Sequence, residues 1–296
     1  MLAGLALALL VALVPAPGRA DVSRTHSITV DGRARNYRLY RPASLPQSQP
    51  APLVLSLHGG FGSGAHDEAA YGWDARADEA GFVVVYPDGV GHSWNAGACC
   101  GPASRQQVDD VAFLTKLVER LIADGTADRR RIFVAGMSNG AAMAYRLACE
   151  SRLPIAALGI VAGGLSVPCA TPQPVAVLAI HGSDDRNIPV AGGVGAKAFA
   201  PVDWPPLADV MALWRHADRC ADTAARRDGA LVIERAKCDD GRAVTLITVE
   251  GAGHQWPGGK PVHPGVARLL MLDPPSGALD ATAVLWDFFS RHAQPA

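Results

Sequence analysis

A chain of 296 residues with a formal net charge of −1 and 49% hydrophobic side chains holds enough apolar material for a substantial buried core. Its basic residues gather only at Arg129-Arg130-Arg131, so nucleic acid and anionic membrane are not expected partners. The six cysteines show no C-x-x-C spacing and no accompanying histidine pair, which argues for disulfides and against a metal centre.

Leu2 to Val14 is almost wholly apolar, and Gly18-Arg19-Ala20 then offers the small residues a signal peptidase reads. Residues 1–20 are therefore expected to be a cleaved secretory signal and residues 21–296 a single domain, soluble, exported and free of the membrane after cleavage. A basic n-region is lacking, so a late start site or an uncleaved anchor is the competing reading. The apolar run is too short to favour a spanning helix, and no cysteine near the cleavage point suggests lipidation.

Strand and helix patterns then alternate. Ser27 to Val30 and Tyr37 to Tyr40 read as an antiparallel pair around Asp31-Gly32, followed by β-rich runs at Pro52 to Leu57, Phe82 to Tyr86 and Arg131 to Ala135. Further runs lie at Ile155 to Val161, Val175 to Ile180 and Ala243 to Val249. Arg129 to Arg131 read as a solvated turn leading into their strand. Between the strands, Val108, Val111, Thr115, Val118, Leu121 and Ile122 mark one apolar helix face, and Leu207, Val210, Met211 and Trp214 another. Asp109 and Asp110 sit in the first turn of the former, where carboxylates suit the helix dipole. A last helix from about Ala281 to His292 starts after Asp280 as N-cap and buries Val284, Leu285 and Phe288. This alternation predicts an α/β fold, a mainly parallel central sheet with helices on both faces.

Chemistry enters at Gly136-Met137-Ser138-Asn139-Gly140, which follows an apolar strand and runs into the helix-forming stretch Ala141 to Ala148. A G-x-S-x-G turn is so tight that side chains beside the serine would clash, while the helix N-terminus aims backbone N–H groups at an oxygen turning anionic. Ser138 is the candidate nucleophile. In α/β-hydrolases the acid and then the histidine follow on loops after later strands. The loop after Val175 to Ile180 offers Asp185, with Asp184 in reserve, and the loop after Ala243 to Val249 offers His254 as general base. Leu57-His58-Gly59-Gly60-Phe61 supplies a second oxyanion donor, Gly60 N–H pairing with Asn139 N–H, and Phe61 N–H is the substitute. Gly60-Phe61-Gly62-Ser63-Gly64-Ala65, with Glu79 downstream, also fits a dinucleotide-binding turn; export and the then unexplained Ser138, Asp185 and His254 weigh against it.

The remaining aromatic and histidine side chains divide by setting. Trp94, Trp256 and, less so, Trp73 are candidates to line the substrate pocket, whereas Trp214 and Trp286 lie on apolar helix faces and read as core. His181 is expected to brace the acid loop. His66, His92, His216, His263 and His292 read as surface residues. Cys220 and Cys238 are the most local disulfide candidates, flanking a short segment before the strand Ala243 to Val249; the pairing of Cys99, Cys100, Cys149 and Cys169 stays open.

Leu57-His58-Gly59-Gly60, Trp94-Asn95 with Cys99-Cys100, Val108-Asp109-Asp110-Val111, Gly136 to Gly140, His181-Gly182 with Asp185, and Gly253-His254-Gln255-Trp256-Pro257-Gly258-Gly259 together resemble one group. It is the secreted esterases that include poly(3-hydroxybutyrate) depolymerases and the feruloyl and acetylxylan esterases of carbohydrate esterase family 1. The likeness runs from about residue 27 to residue 292. It implies an α/β-hydrolase fold, a cofactor-free Ser-His-Asp ester hydrolase and an exported protein acting on a small or oligomeric ester, with no obligatory protein partner. Polyester and plant-cell-wall members share these motifs, so the acyl group stays open. The chain ends just after the catalytic region, so weak action on solid polymer is expected. Such a mechanism needs neutral His254, and activity is expected to fall as the pH drops through the imidazole range. A peptidase or acyltransferase would use the same triad, and a non-catalytic binding protein on this fold is the remaining alternative.

Overall fold

The computed structural model describes residues 23–262, 264–269 and 272–294. The expected signal segment 1–20 lies outside the described residues, as does His263. Among those described, the strands are β1 (Arg24–Val30), β2 (Arg33–Tyr40), β3 (Ala51–Leu57), β4 (Val83–Pro87) and β5 (Ala127–Met137). They continue with β6 (Ile155–Val161), β7 (Ala176–Gly182), β8 (Ala224–Asp228), β9 (Leu231–Lys237) and β10 (Ala243–Val249). The helices are α1 (Gly64–Tyr71), α2 (Trp73–Ala80), α3 (Gly101–Arg105), α4 (Asp110–Ala123), α5 (Asn139–Glu150), α6 (Leu207–Ala217), α7 (Pro264–Leu269) and α8 (Ala281–Phe289).

All ten strands join one sheet in the order β1-β2-β4-β3-β5-β6-β7-β10-β9-β8. The central run from β4 to β10 is parallel throughout, and antiparallel pairs flank it on both sides. Parallel strands covered on both faces bury every side chain, and β3, β4, β6 and β7 are buried at every position. The period of two then sorts residues between the faces: Leu53, Leu55 and Leu57 pack with α4, α5 and α6, whereas Val54, Val84, Phe133 and Ala135 pack with α1, α2 and α8. This is the α/β-hydrolase architecture, mixed at its edges.

Several local expectations need correction. Arg129 to Arg131 lie inside β5 rather than in a turn, because pairing with β3 begins as early as Ala127. The segment between Cys220 and Cys238 is the hairpin β8–β9, which extends the sheet beyond β10. In α4 the buried stripe is Asp110, Phe113, Leu114, Leu117, Val118 and Leu121, so Val111 and Thr115 turn partly outward. Asp109 is the N-cap, accepting from Ala112 N–H at 2.8 Å. Asp110 stands in the first turn as expected, and there it is buried and paired with Arg35 at 2.7 Å. In α8 Asp280 caps as expected, while Val284 is only half-buried. Trp214 is core, and Trp286 is half-buried with its ring stacked on Phe82. His292 is buried, not superficial; its Nδ1 lies 2.7 Å from Phe288 O. Cys220–Cys238 form a disulfide, and the other bridges are Cys149–Cys169 and the adjacent pair Cys99–Cys100.

Candidate active site

Because β3, β5, β7 and β10 run parallel, the loops at their carboxyl ends open on one edge of the sheet. β5 ends at Met137, and Ser138 makes the turn into α5 with φ 54° and ψ −119°. A side chain rarely adopts that backbone, and such strain is of order 1–3 kcal/mol. The neighbours show why glycines flank it: a Cβ at Gly140 would run into Leu57 O, and one at Gly136 into the backbone of Gly140. The turn lifts Ser138 to a partly exposed position at the sheet edge.

Two later loops meet it there. His254 Nε2 lies 2.7 Å from Ser138 Oγ, and Nδ1 lies 2.7 Å from Asp185 Oδ2. With an acid carboxylate on one nitrogen, the proton belongs on Nδ1, leaving Nε2 to accept from the serine hydroxyl. Asp185 is buried and fully partnered: Oδ1 accepts from Asn187 N–H and Ile188 N–H at 2.8 and 2.9 Å. Oδ2 also stands 3.2 Å from His181 Nε2, whose N–H reaches Ile188 O at 2.8 Å, so His181 braces the acid and its loop together. Burial pushes the Asp185 carboxyl up, but hydrogen bonds from His181 and His254 outweigh it and hold the group well below the usual carboxylate range. Asp184, the reserve, is exposed and bonded to Ser183. On the histidine side, His254 N–H donates to Asp273 Oδ2 at 2.9 Å, and Lys197 grips Asp273 Oδ1 at 2.7 Å. Sequence reading gave no sign of this strap, because its residues carry no motif and meet across 76 positions.

Opposite them lies the loop after β3. A side chain at Gly59 would come 3.6 Å from Ser138 Cβ, so the backbone of this turn passes directly over the serine. Of the two amides considered there, Phe61 N–H is already engaged, donating to His92 O at 2.8 Å, so Gly60 N–H is the remaining candidate donor. Trp94 brackets these two segments. Its indole N–H donates to His58 O at 2.9 Å, and its backbone N–H and C=O take the Asn139 side chain at 2.7 and 2.9 Å. The bracket is anchored in turn, since Asn95 N–H donates to Asp110 Oδ2 at 2.8 Å and Arg146 donates to Asn95 O at 2.7 Å.

Trp94 therefore does not line a pocket: it is 0% exposed, and Trp256, 1% exposed, stacks on Tyr71 and donates to Thr282 Oγ1. Trp73 is likewise wholly buried. Indole rings of this size near the chemistry are taken up by packing beneath the site. Glu79 lies on α2 in an ion pair with Arg76, away from the glycine-rich turn. A cavity of about 490 Å³ lined by Arg129, Arg130 and Arg152 opens where β5, β6 and β7 begin, at the edge opposite Ser138. Among the described residues no group of His, Cys, Asp and Glu could hold a metal ion, and no helix is long and apolar enough to cross a membrane.

His58 holds the glycine-rich turn after β3 from within. Its Nδ1 lies 2.8 Å from Gly59 O while Nε2 accepts Gly89 N–H at 2.9 Å, an arrangement open only to the neutral ring. Burial pushes this imidazole down from 6.5 to about 4. A histidine depressed on folding contributes stability that is fully present above its unfolded value and is lost as the pH falls toward the folded one. Urea unfolding at pH 7 and pH 4 is expected to show a loss of about 3 kcal/mol from this group. The loss should be absent in His58→Gln, and an equal pH dependence in both proteins would refute the assignment.

Comparison with known proteins places these observations. The model of a family described as Esterase PHB depolymerase matches residues 35–203. NocK of Nocardia uniformis subsp. tsuyamanensis, an esterase by name, is 33% identical over 83% of this chain and 78% of its own. Feruloyl esterase C of Emericella nidulans is 31% identical over 54% of this chain and 58% of its own. In fold, the chain is similar to the acetyl xylan esterase from Aspergillus awamori, with a TM-score of 0.57 at 17% identity over 84% of this chain and 99% of that one. A thermostable esterase aligns with a TM-score of 0.60 at 14% identity over 92% of this chain and 63% of that one.

Proposed function

Since the chain belongs to the PHB depolymerase esterase family and is a carboxylic ester hydrolase, we propose that it works through an acyl-enzyme formed on Ser138. The observation that carries this reading is the unbroken relay from Ser138 Oγ through His254 to Asp185, with both links at 2.7 Å. Ser138 Oγ attacks the ester carbonyl as its proton passes to His254 Nε2, and Asp185 stabilises the imidazolium that forms. Gly60 N–H and Asn139 N–H receive the developing oxyanion, each such donor being worth about 10²–10³ in rate. His254 then protonates the departing alcohol, and a water activated by the same ring hydrolyses the acyl-enzyme and releases the acid.

The proposed substrates are hydroxybutyrate-type oligomers or feruloyl and acetyl esters of plant polysaccharide, the ester classes carried by the names of its family and relatives, among them an acetylxylan esterase/xylanase of Neocallimastix patriciarum 27% identical over 75% of this chain and 31% of its own. We also propose that residues 21–296 act as one catalytic domain in an exported protein, a location suited to its disulfides. A panel of methyl ferulate, acetylated xylan, hydroxybutyrate trimer and a matched peptide amide tests the reading by acid release. At least one ester is expected to turn over far faster than the amide. Cleavage of the amide alone, or of nothing, would overturn it.

A further inference from the structure

Two phenylalanines on loops that flank the site are explained neither by burial nor by backbone preference. Phe61 is 64% exposed and Phe199 57% exposed, yet the rings meet edge to face, with centroids 5.0 Å apart and planes at 71°. Phe61 occupies the third position of the turn Gly59–Gly62, closed by Gly62 N–H to Gly59 O at 3.0 Å, with φ 66°. Glycine or asparagine is the low-energy choice at such a position. A large aromatic held there, with most of its surface in water, gains almost nothing for the fold.

Both rings are instead indexed to the reacting atoms. Phe61 directly follows Gly60, on the turn that passes over Ser138. Phe199 sits two residues after Lys197, whose ammonium binds Asp273 Oδ1 while Asp273 Oδ2 holds His254 N–H. Its loop is pinned further by Lys197 N–H to Arg186 O at 2.8 Å and by the Gly193–Trp204 pairing. One ring is thus tied to the nucleophile and the other to the histidine. Together they form an open corner of one face and one edge. A third aromatic ring fits such a corner by stacking on one wall and meeting the other edge-on, geometries in which ring quadrupoles attract; an alkyl chain gains only its area.

We propose that Phe61 and Phe199 form a subsite for the aryl group of an ester substrate, and that this pair, not the buried tryptophans, sets selectivity. The proposal rests on the esterase reading for its reaction but not for its binding. Methyl cinnamate carries the aryl group on the acyl side, phenyl acetate on the alcohol side, and methyl butanoate carries none. For Phe199→Ala and Phe61→Ala, the variant-to-wild-type ratio of kcat/KM is expected to fall about tenfold further for one aryl ester than for methyl butanoate, mainly through KM. Which aryl ester responds assigns the side. Phe199→Leu keeps the apolar bulk without the ring, and it should lose most of the same selectivity. Equal losses on all three esters, or none, would overturn the subsite. Binding of methyl cinnamate and of phenyl acetate to Ser138→Ala protein, titrated with and without Phe199→Ala, separates this from the chemistry. Should no ester be hydrolysed, the proposed function fails while a Phe199-dependent affinity for either probe still supports the subsite. Affinities indifferent to Phe199 would remove it.

Discussion

Ser138→Ala is expected to reduce kcat for the best ester substrate by about 10⁴–10⁶ while leaving the melting temperature nearly unchanged. The first half follows from the proposed mechanism: without Oγ no acyl-enzyme can form, and what would remain is substrate binding and the two amides proposed for the oxyanion, those of Gly60 and Asn139. The second half follows from the local structure. Ser138 precedes α5 but makes no side-chain capping bond to it, so the hydroxyl contributes little to the helix. Alanine carries the same Cβ, so the positive φ of 54° strains both residues alike. A fluorophosphonate probe should label the wild-type protein and not the variant. Activity within tenfold of wild type, with folding intact, would place the nucleophile elsewhere.

How much of this is legible in the sequence depends on whether a signal is local. Gly136, Ser138 and Gly140 announce their turn because the motif spans five residues; the conflict at Gly136 arises within it, although the one at Gly140 comes from distant Leu57 O. The loops carrying Asp185 and His254 are marked by apolar runs that end in polar, glycine-bearing segments, and chain order does the rest. The hairpin β8–β9 lacks such a mark: Ala224–Asp228 is exposed at every position, so no alternation separates it from a loop. It becomes a strand only because β10 leaves an edge for β9 to pair with. The partners of Trp94 and Asp110 are equally hidden. Trp94 meets Asn139 across 45 positions, and Asp110 meets Arg35 across 75. Such contacts exist only once the sheet has brought distant loops to one edge. A tryptophan near catalytic motifs therefore reads equally well as a pocket wall or as a brace.

Asp185→Asn separates charge from shape, and it is expected to lower kcat by about 10⁴. The amide is nearly isosteric, and its carbonyl oxygen can still accept from Asn187 and Ile188 N–H, so the loop should keep its path. Its NH₂ group then faces His254 Nδ1 and, 3.2 Å from the present Oδ2 position, His181 Nε2–H, donors where an acceptor is required. The least costly escape is for His254 to move its proton to Nε2, which turns the general base away from Ser138. KM should change far less than kcat, since no contact to the ester is lost. The same substitution has a signature in stability. The folded-state carboxyl of Asp185 is depressed, so its contribution is present above the ordinary carboxylate value of about 4 and is lost as the pH falls below it. Wild-type protein should therefore lose stability more steeply than Asp185→Asn on acidification below about pH 4. A merely structural acid would share that acid limb but spare kcat, and a kcat within tenfold of wild type would demote Asp185 to that role.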